Sequence, residues 1–165
     1  MRRIDRLISG GGFTLVELIV MLLVIAVIAV IAAPKMSSDP VSVAIEAEQL
    51  AGDIRYVQTL AMTQAQRYRI NLTATGYTFT LADGTAVIHP LTGSTAPINL
   101  NSGTTIGLPP TGLPNNLVAF DGRGVPYTDA PATTALAATA TIVLSRGTAN
   151  QQISISPETG KVTPP

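Results

Sequence analysis

Glu17 is the only ionisable residue in the stretch 13–33, and its neighbours there are almost all aliphatic. A charged side chain held in hydrocarbon costs on the order of 2.5 to 3.5 kcal/mol at the middle of a membrane helix. Near the edge of such a helix the cost is smaller, and the carboxylate can snorkel to water. The alternative is a partner cation that arrives later. A cut between Gly12 and Phe13 would create one, because the new α-amine of Phe13 lies one helical turn from Glu17. A like subunit alongside would then set its own Phe13 amine against this carboxylate, neutralising both.

Other reactive side chains lack the company that chemistry needs. His89 is the single histidine and Pro90 follows it. With no cysteine, no second histidine, no His-x-x-His and no Asp-rich calcium loop, His89 lacks the partners that a metal or catalytic role would need. His89 therefore reads as a solvated residue at a loop edge. Gly10-Gly11-Gly12 follows no strand, so it is no phosphate loop, and no Gly-x-Ser-x-Gly elbow occurs. Asp83 and Asp121 fall in turns, where short carboxylates accept backbone hydrogen bonds. The sequence thus predicts no catalytic residue, no metal site and no cofactor, and points away from an enzyme.

The elements that must position Glu17 are clear in outline. Arg2, Arg3 and Arg6 precede the apolar stretch, which would span about 30 Å as a helix at roughly 1.5 Å per residue. Basic residues before it and a polar chain after it place the N-terminus inside and the remainder outside. A secretory signal peptide also begins this way, but its cleavage site should follow the apolar core, and here Ile31-Ala32-Ala33 runs straight into Pro34. An uncleaved signal anchor explains everything except Glu17.

The run Gly11-Gly12-Phe13-Thr14-Leu15-Val16-Glu17-Leu18-Ile19 resembles the type IV prepilin signature. The resemblance implies cleavage after Gly12 by the prepilin peptidase, N-methylation of Phe13, and docking of each subunit through Glu17 to a neighbour's N-terminus. It also implies a helix kink at Pro34, and partners in inner-membrane lipid, an inner-membrane assembly platform and other pilin or pseudopilin subunits. Localisation would be the inner membrane by a single pass, with the C-terminal head in the periplasm, and a filament after assembly. Removing the arginines frees the helix to leave the bilayer and to bury its surface against like helices.

Beyond the anchor, Pro34 and Pro40 bracket a break, and an amphipathic helix follows from 41 to about 67. Leu50, Ile54, Val57 and Ala61 form its apolar stripe, with Glu46, Asp53, Arg55 and Gln64 off that face. After Tyr68 the pattern alternates. Strands are predicted over 70–73, 77–81, 85–89 and 117–121, with brief ones near 98–100 and 104–106. A hairpin of 139–145 with 151–156 and a short terminal strand near 162 complete the series, and 129–139 reads as an exposed loop. One helix followed by many strands argues α+β, with the helix laid on an antiparallel sheet. The expected division is a leader at 1–12, a membrane and filament-core helix at 13–33, a kinked linker and amphipathic helix at 34–67, and a β-rich head at 68–165.

The run Phe120-Asp121-Gly122-Arg123-Gly124, then Ile142 to Arg146, then Ile153-Ser154-Ile155 to Thr159-Gly160-Lys161-Val162 resembles, in order and spacing, the C-terminal half of the GspH/FimT group of minor pilins, with mannose-sensitive haemagglutinin pilus proteins as close neighbours. That implies a minor subunit of a type II secretion pseudopilus or a type IV pilus. Some proteins of the group bind DNA for uptake. Here ten basic and ten acidic residues cancel, and Arg55, Arg67, Arg69, Arg123, Arg146 and Lys161 form no run, which argues against nucleic acid as a partner.

Overall fold

The computed structural model describes residues 13–32 and 39–165, which fall into two compact units divided after Ser37. The first unit holds α1, Leu15–Ala32. Aliphatic side chains cover it on every side, so no polar face is left to meet water. Among the described residues no helix is long and apolar enough to cross a membrane. At eighteen residues α1 measures about 27 Å, roughly a turn short of the expected segment. Its first turn is spent on capping, and residues 33–38 lie outside the described residues, as does Gly12.

The second unit is the head, an α+β fold. Its helix α2, Asp39–Gln64, starts earlier and ends earlier than the spacing predicts. Pro40 sits in the first turn, where its missing N–H costs nothing. The stripe Leu50, Ile54, Val57 and Ala61 is fully buried, joined by Val43 and Ala47. These side chains lie against strands of two sheets rather than the single sheet expected.

One sheet contains β1 (Tyr68–Thr73), β2 (Gly76–Leu81), β3 (Ile98–Asn99), β5 (Leu117–Phe120) and β6 (Pro126–Tyr127), in the order β3-β2-β1-β5-β6. The other contains β4 (Thr104–Ile106), β7 (Ala140–Arg146), β8 (Ala149–Ile155) and β9 (Val162–Thr163), in the order β4-β7-β8-β9. All pairings are antiparallel. Alternation fixes which face is inward: Tyr68, Ile70 and Leu72 point to the core, while Arg69 and Asn71 do not. Gly76 opens β2 because a Cβ there would collide with the Ile98 carbonyl oxygen of β3.

Two expectations fail in the head. Residues 85–89 form no strand, only an isolated bridge from Thr80 to Ala86, because the chain turns His89 inward and leaves Ile88 outside. The loop 129–139 is not wholly exposed: Ala132 and Leu136 are buried, Ala132 over Leu117 and Ala119 on the outer face of β5.

Candidate functional site

Thr14 precedes α1 and caps it: its hydroxyl oxygen accepts a hydrogen bond from the Glu17 N–H at 3.2 Å. Thr14 and Glu17 thus stand at the two positions of a capping box, Ncap and N3. A carboxylate in the first turn also meets the positive end of the helix dipole, which supplies a local reason for an acid at this position. That reason is incomplete, since capping uses the Glu17 backbone and its side chain remains exposed with no hydrogen-bond or ion-pair partner among the described residues. Phe13 is 72 % exposed directly before the cap. The structure therefore brings Phe13 and Glu17 to the same end of α1. The other two sequence-predicted positions, Gly12 and Pro34, lie outside the described residues.

The head contains a polar cluster that contradicts the sequence reading. His89 is only 2 % exposed, not a solvated loop residue. Its Nε2 lies 3.1 Å from Asp53 Oδ2 on α2, and the Tyr77 hydroxyl of β2 donates to that same oxygen at 2.6 Å. His89 Nδ1 accepts the Leu91 N–H at 3.3 Å, which leaves Nε2 to carry the proton toward Asp53. The imidazole lies tilted against Phe79, with ring centroids 5.1 Å apart. Burial, reinforced by Asp53, pushes the Tyr77 hydroxyl far above the usual tyrosine range, so it stays a donor.

Glu46 and Asp53, expected off the apolar face, are both buried. Glu46 Oε1 accepts from the backbone N–H of Asn101 at 3.1 Å and from its side-chain amide. The partners of both carboxylates come from the segment 77–101, which is why helical spacing alone sends them outward. The detectable signal is weak: two acids seven residues apart on one flank of an otherwise apolar stripe.

This cluster ties α2, β2 and the loop 85–101 together. His89 and Tyr77 are sealed from solvent within it. Among the described residues no group of three or more histidine, aspartate or glutamate side chains is placed to hold a metal.

The arginines of the head are occupied one by one. Arg55 donates to the Val162 carbonyl, Arg67 to the Pro131 carbonyl and Arg69 to the Thr80 hydroxyl. Arg123 pairs with Asp121 at 3.2 Å and Arg146 with Asp39 at 2.9 Å. Partial burial works to raise the Asp121 carboxyl, but the N–H groups of Val125 and Arg123 and the Arg123 guanidinium outweigh it and hold it below the usual carboxylate range.

No protein-family model matches this chain, and no curated protein sequence matches it. Among solved structures, the type IV minor pilin FimU of Pseudomonas aeruginosa (strain PAO1) is similar in two crystal forms. One is 15 % identical, covering 72 % of this chain and 89 % of that chain with a TM-score of 0.49. The other is 17 % identical, covering 72 % and 84 % with a TM-score of 0.47.

Proposed function

We propose that this chain is a structural subunit of a type IV pilin-like filament, with the segment 13–33 held in the inner membrane and the head in the periplasm. Prepilin peptidase cuts after Gly12 and methylates Phe13. The subunit then leaves the bilayer and docks through Glu17 onto the Phe13 amine of a neighbour. Assembly is the work of α1, and the head is presented on the filament without a catalytic role.

The observation that carries this reading is the chemistry at the start of α1. Among the described residues, a single carboxylate stands without a side-chain partner in the first turn of a helix that is aliphatic on every side. It sits four residues from the position that becomes an α-amine on cleavage. A helix apolar all round is stable only when lipid or other apolar helices cover it. Lipid covers it before assembly and neighbouring copies cover it afterwards.

A DNA-binding minor pilin is the second reading. It draws less support, because each arginine of the head already donates to a group of the head itself. An uncleaved membrane-anchored head is the third, and it gives Glu17 no role beyond capping. By the resemblance of its C-terminal half, the filament is a type II secretion pseudopilus or a type IV pilus.

Replacing Glu17 with alanine separates the filament reading from the uncleaved anchor, and a gel shift of the chain with DNA under salt titration tests the second reading. The filament reading expects Glu17→Ala to be cleaved normally yet to be missing from sheared filaments. Incorporation at the wild-type level would remove the docking role.

A further inference from the structure

At one corner of the head, Glu46 Oε2 of α2 and Thr104 Oγ1 of β4 are buried without a hydrogen-bond partner. Their residues are only 4 % and 2 % exposed. The turn 101–104 joins them. The Asn101 N–H donates to Glu46 Oε1 at 3.1 Å, and the Asn101 side-chain amide donates to the same oxygen. The Thr104 N–H donates to the Asn101 carbonyl at 3.0 Å, with Gly103 at positive φ inside the turn. Alternation in β4 turns Thr104 and Ile106 inward and Thr105 outward. The second carboxylate oxygen and the hydroxyl thus belong to groups held by the two ends of one four-residue turn.

The charge of Glu46 is unmatched as well. Buried carboxylates are ordinarily paired with a cation or coordinate a metal. Among the described residues Glu46 forms no ion pair. Arg146 lies across the sheet from Thr104, but its guanidinium is engaged by Asp39 at 2.9 Å. The segment 84–120 contains no lysine, arginine, aspartate or glutamate, so this long loop brings no counter-ion. A bridging water would satisfy the two oxygens and leave the charge. A cation satisfies all three.

The donors on offer are oxygens. They are the Glu46 carboxylate, the Thr104 hydroxyl and the Asn101 amide, whose oxygen replaces its nitrogen after a half-turn of the side chain. Asn101, Ser102 and Gly103 are exposed, which leaves the outer side open to water ligands. Carboxylate, neutral oxygens and water in irregular geometry suit calcium, whereas magnesium demands a near-ideal octahedron.

We propose that Glu46, Asn101 and Thr104 form a calcium site that fastens the turn 101–104 to α2. With one acid and otherwise neutral oxygens it is a weak site, at roughly 0.1 to 1 mM. The site lies within the head, so it stands apart from the filament reading.

The test uses the full-length chain in detergent, stripped of metal with EDTA. Calcium chloride at about ten times the dissociation constant should raise the thermal midpoint of the head by about 4 °C. Sodium or magnesium chloride at equal ionic strength should raise it far less. Glu46→Gln keeps an acceptor for Asn101 and removes the charge. It should abolish the calcium shift, yet unfold no earlier than the wild type in EDTA. Thr104→Val keeps the shape and should weaken calcium binding several-fold. Terbium in place of calcium, sensitised by tyrosine, should emit from the wild type, lose emission on adding calcium, and stay dark with Glu46→Gln. An equal shift from sodium or magnesium marks screening alone and overturns the proposal. So does a calcium shift that survives Glu46→Gln, wild-type affinity in Thr104→Val, or a wild type that neither shifts with calcium nor sensitises terbium.

Discussion

The Tyr77 hydroxyl donates to Asp53 Oδ2 at 2.6 Å, and this contact joins β2 to α2 inside the head. His89 reaches the same oxygen from the loop after β2. One carboxylate thus satisfies two buried donors that have no other route to water.

Asp53→Ala strands both donors, and a buried donor left without a partner costs about 1 to 3 kcal/mol. The head should lose on the order of 3 kcal/mol, read by urea unfolding of the full-length chain in detergent with circular dichroism. Tyr77→Phe removes one donor and keeps the ring, so about 1 kcal/mol is expected. Equal losses for the two variants would contradict a shared acceptor.

His89 is the buried anchor of a loop whose next eight residues are exposed. The turn is closed by His89 N–H to the Ser94 carbonyl and by Leu91 N–H to the imidazole. His89→Ala should leave α2 and the sheets folded but speed amide exchange in residues 88–94 by an order of magnitude or more, about 1.4 kcal/mol per factor of ten. Exchange raised equally throughout the head would contradict local anchoring.

Acid should weaken the head in part through Asp121. Its folded carboxyl titrates below the ordinary value, so its contribution is fully present above about pH 4 and is lost as pH falls through the lower folded value. Asp121→Asn should lower stability at neutral pH and flatten the acid limb of a stability–pH profile. An unchanged limb would show that the turn 121–125 does not hold the carboxylate.

Gly52→Ala should stabilise α2 by about 1 kcal/mol, because a methyl group there meets no neighbour and helix propensity rises. A fall in thermal stability would show a contact within the chain that the structure does not contain.

Much of the head was legible where one periodicity settles one face. Leu50, Ile54, Val57 and Ala61 repeat at helical spacing, and all four are buried. The hairpin β7–β8 follows from its alternation and from the turn at Gly147, where φ is positive. What failed depends on partners distant in sequence. Glu46 and Asp53 look like surface acids until Asn101, Tyr77 and His89 arrive, each at least 24 residues away. His89 has no ligand partner in its local sequence, yet the Asp53 carboxylate and the Leu91 N–H are enough to bury its imidazole. The two-sheet order was also hidden, since β1 pairs with both β2 and β5 and nothing local in 68–73 names the second neighbour. The isolation of Glu17 is plain in the sequence, whereas the Thr14 cap beside it needs the start of α1 to be placed.

The central claim is that a cut at Gly12–Phe13 creates the amine that Glu17 awaits. The direct measurement is the intact mass of the protein from membranes and filaments of its native host, with the peptidase active. The account predicts a chain lacking residues 1–12 and carrying one added methyl group on Phe13. A chain that keeps its first twelve residues would contradict it, leaving Glu17 without the partner that the filament requires.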